Sequence, residues 1–161
     1  KNNIMTSEKR IFQISIKSNY LKVEMEIFDE KNDDTYRTVY FNEAPIHEEF
    51  ALAMQNLAFH IEKITGTSYH NLVVDGYYRQ PSGNSELLTI YAHLSVNYES
   101  TTNMSVRLHL GKDEYAWIDR LLEDMSLCER EALLYITKGK RYGLDKFLTI
   151  ENTNVEPKKV A

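Results

Sequence analysis

The sequence predicts an α+β fold: a mostly antiparallel sheet of about six strands, with two main helices on one face, in the order βββαβββα. Three observations carry this expectation. Leu88, Ile90, Ala92, Leu94 and Val96 alternate with polar residues, and Val106, Leu108 and Leu110 do so again after a polar bend at 99–102, which is the pattern of a half-buried hairpin. Leu21, Val23, Met25 and Ile27 alternate in the same way with Lys22, Glu24 and Glu26. Two stretches, one after each set of three strands, switch to three- and four-residue spacing, the period of a helix with one apolar face.

In chain order, residues 1 to about 9 are polar. Phe12, Ile14 and Ile16 alternate with Gln13, Ser15 and Lys17 to give a first strand, and Asn19-Tyr20 offers a tight turn into the Leu21 strand. The charged stretch 29–34 reads as a solvated hairpin loop, because an EF-hand would need a central glycine and a terminal glutamate at fixed spacing. A third strand at 36–41 places Val39 and Phe41 on one side. Asn42 and Pro45 then signal a helix start, an Asx cap followed by a proline in the first turn. Ile46, Phe50, Ala53, Leu57, Ile61 and Ile64 form its apolar stripe, and Thr65-Gly66 ends it.

Leu72, Val74 and Tyr78 mark a fourth strand, and 80–84 (Gln-Pro-Ser-Gly-Asn) is the clearest loop signal. After the hairpin, Gly111 releases the chain into a helix bearing Ile118, Leu121, Leu122 and Met125. Ser126-Leu127-Cys128-Glu129 matches a capping box, so a kink or restart is expected there, with the helix continuing to about Thr137 before Gly139. Residues 1–150 thus read as a single α+β domain and 151–161 as a flexible C-terminal tail. The order strand-strand-strand-helix occurs twice. A shift of 67 positions sets Leu21 on Leu88, Val23 on Ile90, Val39 on Val106, Phe41 on Leu108, Phe50 on Trp117 and Met54 on Leu121.

Composition bounds the function. The chain has 161 residues, 42% hydrophobic and 27% charged, with a net charge of −5. That charge argues against a general nucleic-acid coat. One cysteine, Cys128, excludes an internal disulfide and points to a reducing compartment. No apolar run approaches the roughly 18 residues of a spanning helix. The first five residues lack the apolar core of a secretory signal. The expected location is the cytoplasm, with no membrane association.

The familiar catalytic and metal signatures are incomplete. His47-Glu48-Glu49-Phe50-Ala51 begins like a helical zinc-protease motif, but Ala51 stands where the second histidine is required. His47 and Glu49 also form the first half of a zinc deaminase signature, but its second half needs paired cysteines after a proline, and the chain has a single cysteine. No phosphate-cradling glycine loop and no Gly-x-Ser-x-Gly turn is present. Cys128, spaced with Leu121, Met125 and Ala132, reads as a packing residue, and His60 as a cation near a helix C-terminus. The stretch 125–139 resembles the first helix of the helix-turn-helix of sigma-like regulators. The likeness covers about fifteen residues, and 140–144 does not continue it into a recognition helix. No catalytic residue, metal or cofactor is therefore assigned.

Strand parity supplies the candidate site. If Leu88–Val96 and Val106–Leu110 turn their apolar residues to the helices, Tyr91, His93, Arg107 and His109 face away, and by the same count so do Asp75, Tyr77 and Arg79. Tyrosine, histidine and arginine bury area while keeping polar contacts, so this face is expected to dock a partner. A protein partner is favoured by the charge; the expected role is an inhibitor, immunity-type or assembly factor, with a composition compatible with a bacterial phage or mobile element. The alternative is a nucleotide or single-stranded nucleic-acid binder, with bases on Tyr77 and Tyr91 and phosphates at Arg79 and Arg107. A third reading is a hydrolase using His93 and His109 across the hairpin. A homodimer through a sheet edge or face is compatible with each.

Overall fold

A computed structural model describes residues 8–17, 20–95 and 100–141. The turn at Asn19, the start of the bend before residue 100, and the 151–161 tail lie outside them. The chain runs β1 (Glu8–Lys17), β2 (Tyr20–Asp29), β3 (Asp34–Asn42), α1 (Glu48–Gln55), α2 (Leu57–Thr65), β4 (Leu72–Ser82), β5 (Ser85–Ser95), β6 (Thr101–Leu110) and α3 (Ile118–Lys138). The six strands form one antiparallel sheet in the order β3-β2-β1-β4-β5-β6, so two three-stranded meanders meet along β1 and β4. The α+β class and the expected element order are what the chain builds.

The core lies between one face of the sheet and the helices. Ile14, Leu21, Val23, Leu88 and Ile90 rise from the strands to meet Phe50, Met54, Leu57, Ile61, Leu121, Met125 and Tyr135 from the helices, all of them essentially inaccessible to water. Removing this apolar surface from water is the principal driving force of the fold. Among the described residues, no helix covers the opposite face.

The meeting of β1 and β4 is short, only Gln13↔Tyr78, Ile14↔Tyr77 and Ser15↔Gly76. A bulge interrupts each strand beside it, between Ile11 and Gln13 in β1 and between Val74 and Gly76 in β4. Strand backbones come unusually close here: a Cβ on Gly76 would sit 2.2 Å from the Ile14 carbonyl oxygen and 2.9 Å from the Ser15 Cα. Only glycine fits, and the atoms opposing it are backbone that cannot swing aside.

Several boundaries differ from the expectation. The first helix starts at Glu48, with His47 as its N-cap accepting from the Glu49 N–H (3.1 Å), whereas Asn42 makes a local turn by accepting from the Ala44 N–H (2.7 Å). A break at Asn56 divides it into α1 and α2; off the buried stripe, Leu52 is exposed, while Phe59 packs edge-on against Trp117. The expected restart at Ser126 does not occur; α3 is continuous because Leu121, Met125, Cys128, Ala132 and Tyr135 keep one buried stripe through it. The loop at 80–84 shrinks to Gly83-Asn84, since Ser82 pairs with Ser85. The 67-residue echo holds for order but not for parity. Leu21 and Leu88 both point inward, whereas Val39 and Phe41 lie on the open face and Val106 and Leu108 are buried.

Polar contacts fasten the ends of the helical layer. Lys140 lies 2.9 Å from Glu131 and 3.3 Å from Glu49, and Tyr135 donates to the Ala44 carbonyl (2.8 Å). Burial lowers the Lys140 pKa, but the hydrogen bond and charge of Glu131 outweigh it and leave the ammonium stabilised. The Cys128 thiol donates to the Ala53 carbonyl (3.2 Å) and burial pushes its pKa up, so it packs rather than reacts.

His60 does not cap a helix. Its ring is fully buried between α2 and α3, donating from Nε2 to Asp124 (2.7 Å) and accepting at Nδ1 from the Tyr115 hydroxyl (2.7 Å). A neutral imidazole satisfies both partners. Desolvation lowers its pKa, outweighing the Asp124 hydrogen bond and charge that favour the cation, and Arg120 lowers it further. Burial likewise raises the Tyr115 hydroxyl to about 12.

Two outcomes follow from these packing constraints. Gly76→Ala is expected to destabilise the fold by about 1–3 kcal/mol through overpacking of the β1–β4 junction, measured by urea unfolding; an unchanged midpoint would contradict the close approach. Because the folded His60 pKa is lowered, its contribution to stability is full above the unfolded value of about 6.5 and is lost as pH falls. Unfolding curves from pH 8 to 5 should therefore show the wild type losing stability relative to His60→Gln, at no more than about 1.4 kcal/mol per pH unit.

Candidate functional site

The open face of the sheet is shaped by the β4 bulge. In a regular strand alternate residues share a face, and one extra residue reverses the parity beyond it. Leu72 and Val74 point to the core, Asp75 is the inserted residue, and from Gly76 onward the count is shifted. Asp75 therefore lies on the open face as expected, but Tyr77 and Arg79 do not.

Tyr77 and Arg79 are inside. Tyr77 is fully buried and donates its hydroxyl to Glu129 of α3 (2.7 Å). Arg79 donates from Nε to Glu86 (2.7 Å) and from Nη1 to Glu129 (3.3 Å), and Arg10 pairs with Glu86 as well. Burial, then the Glu129 charge, lifts the Tyr77 pKa well above the usual phenol range. Burial lowers that of Arg79, but Glu86 and Glu129 overcome it and raise the net value. Both residues tie the sheet to α3 and leave the expected docking set. Tyr78 takes the outward place, packed edge-on against Phe12, whose ring also carries the Arg37 guanidinium at 4.4 Å.

The remaining residues are distributed unevenly. Tyr91, 44% exposed, sits opposite Gly76 on one side and Ser105 on the other. His93 sits opposite Asn103, Arg107 opposite Thr89, and His109 opposite Leu87. His93 and His109 are thus six register positions apart along β5 (87 to 93), about 20 Å at the usual rise, and cannot act as an acid–base pair. His109 is held locally, its backbone N–H donating to Asp113 (2.7 Å).

His93 instead meets Asp75. Its Nδ1–H donates to the carboxylate, 2.8 Å from each oxygen, and both side chains are about two-thirds or more shielded from water. The bulge makes the pair, since it delivers a carboxylate to the open face beside β5. The pair borders a cleft of about 500 Å³ crossing four strands, its lining mixing polar side chains with apolar surface: Gln13, Ser15 and Lys17 from β1, Tyr91 and Ala92 from β5, and Thr101, Asn103 and Met104 from β6. Its depth has a simple origin: Ser15, Gly76 and Tyr91 lie in one cross-strand row, and two of the three have little or no side chain.

Parity alone could not name the β1 members, because no residue pattern says that β1 pairs with β4; the β6 members Thr101 and Asn103 were missed because β6 begins at Thr101, within and just after the stretch read as a bend. One signal was readable: Asp75-Gly76 inside a strand pattern marks a bulge. Among the described residues no group of three or more histidine, cysteine, aspartate or glutamate side chains is placed to hold a metal ion. No known protein family matches the chain, and no curated protein or solved structure matches it significantly.

Asp75 should fix the His93 tautomer. Nitrogen-15 NMR is expected to show protonated Nδ1 in the neutral ring of the wild type, and a shift toward the Nε2–H form in Asp75→Asn, whose amide holds the ring less firmly. Identical tautomers in both proteins would remove the dyad.

Proposed function

We propose that this protein acts by binding, docking a protein partner on the open face of its sheet around the Asp75–His93 cleft. The observation that carries this reading is a face of a six-stranded sheet with no helix over it among the described residues, bearing Tyr91, Val39 and Phe41 as exposed large side chains and a cleft of mixed polar and apolar lining that Tyr91 borders. Exposed aromatics beside shielded polar groups are the composition of protein interfaces. Tyr91, His93, Asp75 and Arg107 are the residues placed to contribute, with His109 farther along the same face.

A cytoplasmic inhibitor, immunity-type or assembly factor, encoded by a phage or mobile element, is the role that fits this reading. The nucleic-acid alternative is weakened by Tyr77 and Arg79, which supply neither stacking nor phosphate contacts on the open face. The hydrolase reading loses its histidine pair by register.

Site-directed photo-cross-linking tests the surface. A benzophenone at exposed Ser105, beside Tyr91, is expected to capture a discrete protein from host extract, and Tyr91→Ala with Arg107→Ala should abolish the adduct. The same group at Leu127, exposed on α3, should not give it. Equal capture from both positions, or none from Ser105, would place the interface elsewhere.

A further inference from the structure

The chemistry of the cleft narrows what enters it, an inference that rests on the reading of the open face as a binding surface. The lining supplies acceptors and donors in comparable number. Each Asp75 oxygen spends one lone pair on His93 and retains another. With Nδ1–H donated to Asp75, the remaining ring nitrogen, His93 Nε2, has no hydrogen-bond partner among the described residues and is an acceptor in the neutral ring. Gln13 and Asn103 offer both roles through their amides, Ser15 and Thr101 through their hydroxyls, and Lys17 adds donors.

Charge and shape discriminate further. Lys17 and Asp75 place one charge of each sign in the lining. A phosphate or carboxylate needs converging donors and would face the Asp75 carboxylate instead. A cationic group would meet Lys17. The lining also has an apolar part, with Met104 and the Tyr91 ring, but a purely aliphatic ligand would strip water from Asp75, Gln13 and Asn103 without replacing their hydrogen bonds, which is costly. Hydroxyls both donate and accept, so a ring carrying several of them satisfies this lining, while the exposed Tyr91 ring offers a platform for its C–H face.

We propose that the Asp75–His93 cleft binds a sugar unit, a neutral polyhydroxylated ring stacked on Tyr91 and hydrogen-bonded by Asp75, His93, Asn103 and Gln13.

Ligand-observed saturation-transfer NMR tests it, with methyl glucoside, methyl galactoside, N-acetylglucosamine and maltose as probes, and adenosine and inorganic phosphate as competitors of other classes. Transfer to sugar ring protons is expected, with affinity falling about tenfold or more in Tyr91→Ala and Asp75→Asn, held within about threefold in Tyr91→Phe, and unchanged in Leu127→Ala. Circular dichroism and unfolding midpoints confirm that each variant is folded. Absence of transfer at millimolar concentration for all four sugars, transfer insensitive to Tyr91→Ala, or binding of adenosine or phosphate in their place would overturn the proposal. A cross-link from Ser105 that persists without any sugar binding would leave the docking surface standing and remove only the sugar. Where sugars do bind, loss of that cross-link on enzymatic deglycosylation of the extract assigns the sugar to a glycosylated partner, and its persistence assigns it to a free saccharide.

Discussion

The architecture of this molecule depends on one backbone approach, the Ile14 carbonyl of β1 against Gly76 of β4. Two three-stranded meanders become a single sheet only there, across three residue pairs. The two flanking bulges explain why the junction is so short: a bulge bends its strand and increases the local twist, so pairing cannot continue past it on either side. The same irregularities decide which side chains serve the core. In β1 the bulge lets Ile11 and Ile14 both reach the core while Phe12 turns to the open face, against Tyr78. In β4 it sends Asp75 outward and Tyr77 inward.

What the sequence made legible was whatever depends on local period. The strand runs at 20–29 and 85–95, the helix stripes and the glycine stops at Gly66 and Gly139 all follow from residues a few positions apart, and all appear in the structure. Parity was legible only where the strand was regular. On β5 and β6, Tyr91, His93, Arg107 and His109 emerge on the open face as counted, because nothing interrupts their pairing. On β4 the count failed after one inserted residue, and Tyr77 and Arg79 crossed to the helices. The capping-box pattern at Ser126 misled for a different reason: packing of a continuous buried stripe overrides a local stop signal in mid-helix. The cleft drew residues from β1, β4, β5 and β6, and only two of those three neighbouring pairs are hairpins that sequence order implies.

Turning Tyr77 and Arg79 inward has a physical cost that the interface must offset. A buried phenol and a largely shielded guanidinium destabilise the fold unless hydrogen-bonded and, for the cation, matched in charge. Glu129 supplies both needs from α3, Glu86 from β5, and Arg10 balances the second carboxylate, so two arginines face two glutamates. The network gains its value from specificity more than from net energy. Its partners come from three strands and a helix, and its distances are met only when α3 lies in one axial position over β4 and β5. Register and helix placement are thus coupled through the same inserted residue.

That coupling bears on how the open face keeps its form. Asp75 is held outward by the geometry that holds Tyr77 inward, since both follow from the inserted residue. Any rearrangement that regularised β4 would withdraw the carboxylate from His93 and at the same time strip Glu129 of its two donors. The second loss occurs at a shielded interface, where unpaired charge is most costly, and so resists the change on behalf of the first. The Asp75–His93 pair, though only moderately shielded itself, therefore rests on a buried network on the far side of the sheet. A cleft supported in this way is pre-organised: its polar groups are positioned before anything binds, and the ordering cost that a flexible loop would pay on association is largely absent.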